Sequence, residues 1–173
     1  TLGDLSKGAI YHHFKSKDEI INTLLDKVNI EFNPFALGFD DGICRTGLEK
    51  IRFAFIQSLK DKKSIVLYHA APYLLKNPKF LSKQFELTFS ASAPSIRTFI
   101  EEGITDGSIT CDNPSALSEI FCLITNIWIN PSALPVNKSS FLAKVSFAKE
   151  LFDGVGFPLI DDTVMSAVEE YAD

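Results

Sequence analysis

The chain has 173 residues, 46% hydrophobic and 23% charged, values of an ordinary soluble globular protein that exclude a disordered or fibrous chain. Seventeen Lys and Arg against 22 Asp and Glu leave a net charge of −5, which argues against a protein that coats nucleic acid by bulk positive charge. Fifteen Phe beside four Tyr, one Trp and one Met imply a bulky apolar interior, and more apolar surface than a monomer of this size readily hides.

The three cysteines, Cys44, Cys111 and Cys122, form no CxxC pair, so neither a disulfide framework nor a zinc ribbon is indicated. A reduced, cytoplasmic compartment is the expectation. No apolar run approaches the ~18–20 residues needed to span a bilayer, and no membrane partner is expected. The longest candidate, Ile120 to Ile129, is interrupted by Thr125 and Asn126. Charge is unevenly placed. Residues 1–63 carry 10 basic and 9 acidic side chains, net +1, and residues 64–173 carry 7 and 13, net −6. An anion-binding surface is therefore expected in the first third.

Helix punctuation runs along the whole chain. Ser16 and Glu19 make a capping box, followed by Ile20, Ile21, Leu24, Leu25, Val28 and Phe32 at helical spacing, and Asn33-Pro34 ends that helix. Thr46 and Glu49 make a second capping box, opening a helix with Leu48, Ile51, Phe55, Ile56 and Leu59 inward and closing at Lys60 to Lys63. A short apolar helix is expected over about 65–75, broken near Pro72. From Pro78 to about Asp106 the pattern is long for one helix, and Pro94 predicts a kink. Gly103 and Gly107 are read as its terminators. Asp112-Asn113-Pro114 starts the next helix, which runs to Asn130-Pro131. Asn137 opens another, with Phe141, Leu142, Val145, Phe147, Ala148, Leu151 and Phe152 apolar around most of its circumference, stopped by Gly154. Asp161 and Asp162 cap a last helix carrying Val164, Met165, Val168 and Tyr171. Strand signals are nearly absent, so the expected fold is all-α, with about seven helices after the first motif.

Residues 5–20, LSKGAIYHHFKSKDEI, are the most informative stretch. Ser6 can cap a short helix whose first turn holds Lys7, Gly8 and Ala9. Small residues there let a helix N-terminus approach another surface closely, and its free N–H groups suit a phosphate. Ile10 and Phe14, four apart, form an inward face, while Tyr11, His12 and Lys15 fall on the outer one. Residues 1–17 carry three Lys and one Asp, net +2.

This stretch resembles the end of the helix-turn-helix in the TetR family of bacterial transcriptional regulators. The resemblance is carried by Leu5-Ser6-Lys7-Gly8-Ala9-Ile10-Tyr11-His12-His13-Phe14 and then Lys15-Ser16-Lys17-Asp18-Glu19. It covers about the first 20 residues; beyond them only helix order and the Gly103, Gly107, Asp112-Asn113-Pro114 turn agree. It implies an all-α, TetR-like architecture. Residues 1–32 would be the remnant of a helix-turn-helix DNA-binding domain and its connecting helix, with the recognition helix at about 5–14. Residues 33–173 would be a helical effector-binding and dimerisation domain. Ser6, Lys7, Gly8, Ala9, Tyr11 and His12 would face operator DNA, with Tyr11 and Lys17 mainly holding phosphates. The family carries two further helices, ~30–40 residues by helix length, before the point that matches Thr1. The expectation is therefore a regulator lacking its front, which does not bind operator DNA as it stands.

The same resemblance implies a small organic effector and a homodimer built from the helices at about 114–130 and 138–153. Candidate ligand-binding residues are Phe53, Tyr68, His69, Tyr73, Phe89, Phe121, Thr125, Asn126 and Trp128, apolar walls with a few polar groups. Phe55, Phe85, Phe99 and Arg97 belong to the same wider set. Aromatics at helical spacing serve a core as readily as a pocket, and both readings stand at this point. No GxSxG, HExxH or P-loop is present, so no enzyme, cofactor or metal is expected. The expected function is ligand-responsive transcriptional regulation, as a repressor released by its effector. The alternative is an all-α small-molecule-binding module without DNA binding.

Overall fold

The computed structural model describes residues 14–16, 19, 23, 46–60, 78–130, 134 and 136–172. Most of these residues are helical, with no strand among them. The elements are α1 (Gly47–Lys60), α2 (Pro78–Leu87), α3 (Ala93–Asp106), α4 (Pro114–Leu123), α5 (Lys138–Gly154) and α6 (Asp162–Ala172). A π-helical turn, Thr88–Ser92, joins α2 to α3, and a second, Ile124–Trp128, extends α4. The expected helix over 65–75, the Asn33-Pro34 stop and the boundary at 32/33 lie outside the described residues.

Several helix starts follow from local chemistry. At α1 every early N–H has an acceptor. Gly47 donates to the Asp106 carboxylate at 2.8 Å and Leu48 to the Ser108 hydroxyl at 3.4 Å. Glu49 donates to the Thr46 hydroxyl at 3.2 Å and Lys50 to the Thr46 carbonyl at 3.1 Å. The Thr46 N–H in turn reaches the Glu49 carboxylate at 3.1 Å, completing the capping box. Asn113 and Asn137 cap α4 and α5 through their side-chain oxygens, which accept from Ala116 and Ser140. Asp161 alone caps α6, accepting from the Val164 N–H at 2.9 Å; Asp162 is already inside the helix.

The Gly103 stop is corrected, while the irregularity at Pro94 and the end at Gly154 take a specific form. Pro94 produces a widened turn. It has no N–H for the Ser90 carbonyl, and its ring would crowd that carbonyl in an α-helix. The Ala93 N–H bonds five residues back, to Thr88. Gly103 does not stop α3. The helix runs on to Asp106, and Gly107, at φ 83°, supplies the left-handed end. Gly47 is what lets α1 come close to α3: a Cβ built on it would lie 2.2 Å from the Phe99 carbonyl oxygen and 2.3 Å from the Gly103 nitrogen, whereas one on Gly103 would meet the Ile109 side chain at 2.5 Å. Gly154 is the last residue of α5, and the reversal is made by Gly156 at φ 74°.

The helices close into a ring. α3 lies between α1 and α4, α6 packs against both α1 and α5, and aromatic contacts join α4 back to α5. The loop after α5 plugs the ring, because Phe157, Leu159 and Ile160 are buried along with Ile51, Ile100, Val145 and Val164. Arg52 holds that loop from α1, donating to the Leu159 and Pro158 carbonyls and pairing with Asp161 at 3.1 Å. At the centre Phe121 meets Phe55, Phe152 and Phe157 with ring centroids 6.4, 6.1 and 6.0 Å away. Such pairs add about 0.5–1.5 kcal/mol each beyond area burial. No helix among the described residues is long and apolar enough to cross a membrane.

Candidate functional site

The motif at the front is described only at its end. The Glu19 N–H donates to the Ser16 hydroxyl at 3.1 Å, and the Glu19 carboxylate accepts from the Lys15 N–H. Thr23 donates its hydroxyl to the Glu19 carbonyl one turn on, at 2.8 Å. The Ser16 half of the expected capping box is therefore made, while the Glu19 carboxylate reaches back one residue further, to the N–H before the cap. Ser6, Lys7, Gly8, Ala9, Tyr11, His12 and Lys17, the candidate DNA-facing residues, lie outside the described residues, as do Tyr68, His69 and Tyr73 of the candidate ligand set.

The remaining candidates fall on α1, the first π turn and the α4 helix with its π extension. Phe53 is half-buried on α1, and Phe89 is 45% exposed on the first π turn, a turn that packs against α4. Phe121 is 2% exposed, with its ring enclosed in the central aromatic cluster. Thr125, one turn on, donates its hydroxyl to the Phe121 carbonyl at 2.8 Å and keeps its lone pairs for an incoming donor. Asn126 is half-buried, and its carbonyl accepts from the Asn130 side chain at 3.2 Å. Trp128 faces α5: its ring meets Phe147 edge-on at 6.0 Å, and Lys144 lies over it at 5.4 Å. The Lys144 ammonium also bonds the Trp128 carbonyl at 2.9 Å. The structure thus gathers Phe121, Thr125, Asn126 and Trp128 on successive turns of one helix and brings the segment carrying Phe89 beside it. Of the wider set, Phe55 is buried, Phe99 half-buried and Phe85 exposed, and Arg97 is exposed, 3.5 Å from Glu101.

Other features escape the sequence reading. An open groove of about 430 Å³ runs between α1 and α6, lined by Ile56, Lys60, Asp162, Thr163, Ser166, Ala167 and Glu170. Asp162, Ser166 and Glu170 stand four residues apart, a spacing legible in the sequence, but only tertiary packing sets Lys60 opposite them. At the α3 end, the Ser108 hydroxyl and the Gly47 and Ser108 amides hold the Asp106 carboxyl below its ordinary value, with Lys50 nearby, against a smaller opposing effect of burial. Burial pushes the Cys122 thiol up to about 12, so it stays protonated, and raises Tyr171. No group of His, Cys, Asp and Glu among the described residues could hold a metal ion.

The outer surface carries a second kind of site. α4 with its π turn and α5 run antiparallel, since Phe121 meets Phe152 while Trp128 meets Phe147 and Lys144. Ile120 on α4 and Phe147 and Leu151 on α5 are left 49%, 51% and 44% exposed. Phe147 and Leu151 are four apart and so share one helical face.

No family model matches the sequence, and neither a curated protein nor a solved structure is detectably similar to it.

Proposed function

We propose that the protein is a ligand-responsive transcriptional regulator of the TetR type, acting as a homodimer on operator DNA. The observation that carries the reading is the string from Leu5 to Glu19, in which the Ser16 hydroxyl accepts from the Glu19 N–H as a helix N-cap. Ser6, Lys7, Gly8, Ala9, Tyr11 and His12 would face the major groove, and Lys17 and Tyr11 would hold phosphates. An acidic body of net −7 behind a head, residues 1–17, of net +2 is compatible with this division of labour, because only the head must approach DNA.

In the same reading a small organic effector lies against Phe53, Phe89, Thr125 and Asn126, together with Tyr68, His69 and Tyr73, while Phe121 and Trp128 back the wall. The exposed face of Ile120, Phe147 and Leu151 supports a dimer seam, since large apolar side chains grouped on paired helices are covered in a stable assembly. The effector acts by binding one dimer conformation better than another, moving the recognition helices out of register with successive grooves. The molecule works by binding, with no chemical step and no cofactor.

Fluorescence anisotropy of the full-length protein on duplex DNA tests the reading. Binding should weaken steeply with salt, and Lys7→Ala or Lys17→Ala should each lower the slope of log K against log salt by about 1. Salt-independent binding, or unaltered slopes in both variants, would contradict it. Failure to bind DNA with retention of a small organic molecule would favour the binding-module reading.

A further inference from the structure

The second π turn has features that the effector and DNA readings do not use. Its defining bond runs from the Ile129 N–H to the Ile124 carbonyl, at 2.9 Å. Closing a turn over five residues displaces carbonyls from their α-helical donors. Past the turn the helix ends, and two side chains serve its last carbonyls: Asn130 donates to the Asn126 carbonyl, and Lys144, from a different helix, donates to the Trp128 carbonyl. Upstream, Phe121 fixes the helix in the aromatic core. Downstream, Pro131 offers no N–H with which an α-helix could continue. The extra residue of the wide turn is thus confined between a core anchor and a proline, and the lysine from α5 clamps its exit.

We propose that Ile124–Trp128 is a two-register switch, held in its wide form by Lys144. In the described register Trp128 lies against Phe147 and under Lys144. If the turn tightens to α-helix, the residues beyond it rotate by about one residue, ~100°. Trp128 then leaves Phe147, and its carbonyl leaves the ammonium. Phe147 shares an exposed apolar helix face with Leu151, so the register of the turn decides whether Trp128 supports that face. Thr125 and Asn126 lie within the turn, so a ligand contacting them would bias the register. The inference rests on the proposed function only for that trigger; the switch itself needs neither ligand nor DNA.

Trp128 is the sole tryptophan of the 173-residue sequence, so tryptophan emission, excited selectively over the four tyrosines, reports on this turn. Lys144→Met keeps an apolar stem and removes the donor, and Lys144→Arg keeps a donor. In Lys144→Met, amides 128–130 should exchange about ten-fold faster, as loss of a charged hydrogen bond implies. Trp128 should also become more accessible to acrylamide. Amides of Ile51 and Ile100 should keep their rates, and Lys144→Arg should restore both readouts. Unchanged exchange at 128–130, an equal acceleration at Ile51 and Ile100, or no restoration by Arg would overturn the switch. A protein that binds no DNA would leave these outcomes untouched, so failure of the regulator reading is seen separately.

Discussion

A methyl group at Gly47 would meet the Phe99 carbonyl oxygen at 2.2 Å and the Gly103 nitrogen at 2.3 Å, both backbone atoms that cannot turn aside. Gly47→Ala should therefore cost about 3 kcal/mol, the upper part of the overpacking range, measured by urea unfolding. Gly103→Ala should cost less, because its nearest obstacle is the tip of the Ile109 side chain at 2.5 Å, which can rotate. Asp106 caps the same crossing. Its pKa is lowered in the fold, so its stabilising contribution is complete above the ordinary value of 3.8 and is lost as pH falls below that through the folded value. The stability gap between wild type and Asp106→Asn should be open at pH 7 and should narrow as pH drops below 3.8. A gap that widens in acid would contradict the assignment. The two described cysteines should differ as well. With its pKa at about 12, Cys122 has about one thiolate in ten thousand at pH 8, and native alkylation should label the half-buried Cys111 first.

At the scale of elements, what the sequence makes legible is what depends on neighbours three or four residues away. The Ser16 cap, the capping box at Thr46 and the Asn caps at 113 and 137 pair groups within one turn, and the structure has their bonds. The inward face of α1 is legible for the same reason: Leu48, Ile51 and Phe55 are buried. The place of Gly103 is not, because a glycine that ends a helix and a glycine that makes room for a packed side chain, here Ile109, look alike in one dimension. Pro94 signals an irregularity without its form, and the π turn after α4 has no proline inside it to announce it. The candidate ligand set is legible as a set of aromatic helix positions. Whether Phe121 lines a pocket or fills the core depends on Phe55, Phe152 and Phe157, which come from other elements. Lys144 comes from another element, and only packing sets it over Trp128. The α5 helix, apolar around most of its circumference, divides in the structure into a buried face of Phe141, Val145, Ala148 and Phe152 and an outer face with Phe147 and Leu151.

At the scale of the whole molecule that outer face bears on assembly. Replacing Phe147 and Leu151 together by Glu should convert a dimer to monomer in sedimentation velocity, with each central side chain worth a ~30-fold loss of affinity or more. Ser146→Glu, on an exposed position without large apolar surface, should leave the association intact. The central claim concerns DNA, and selection from a random duplex pool by the full-length protein tests it most directly. A two-fold symmetric site should be enriched, its half-sites about one helical turn or a multiple apart, and it should bind at least ~10³-fold more tightly than random duplex. An unenriched pool, with binding no tighter than that of random duplex, would contradict the regulator reading.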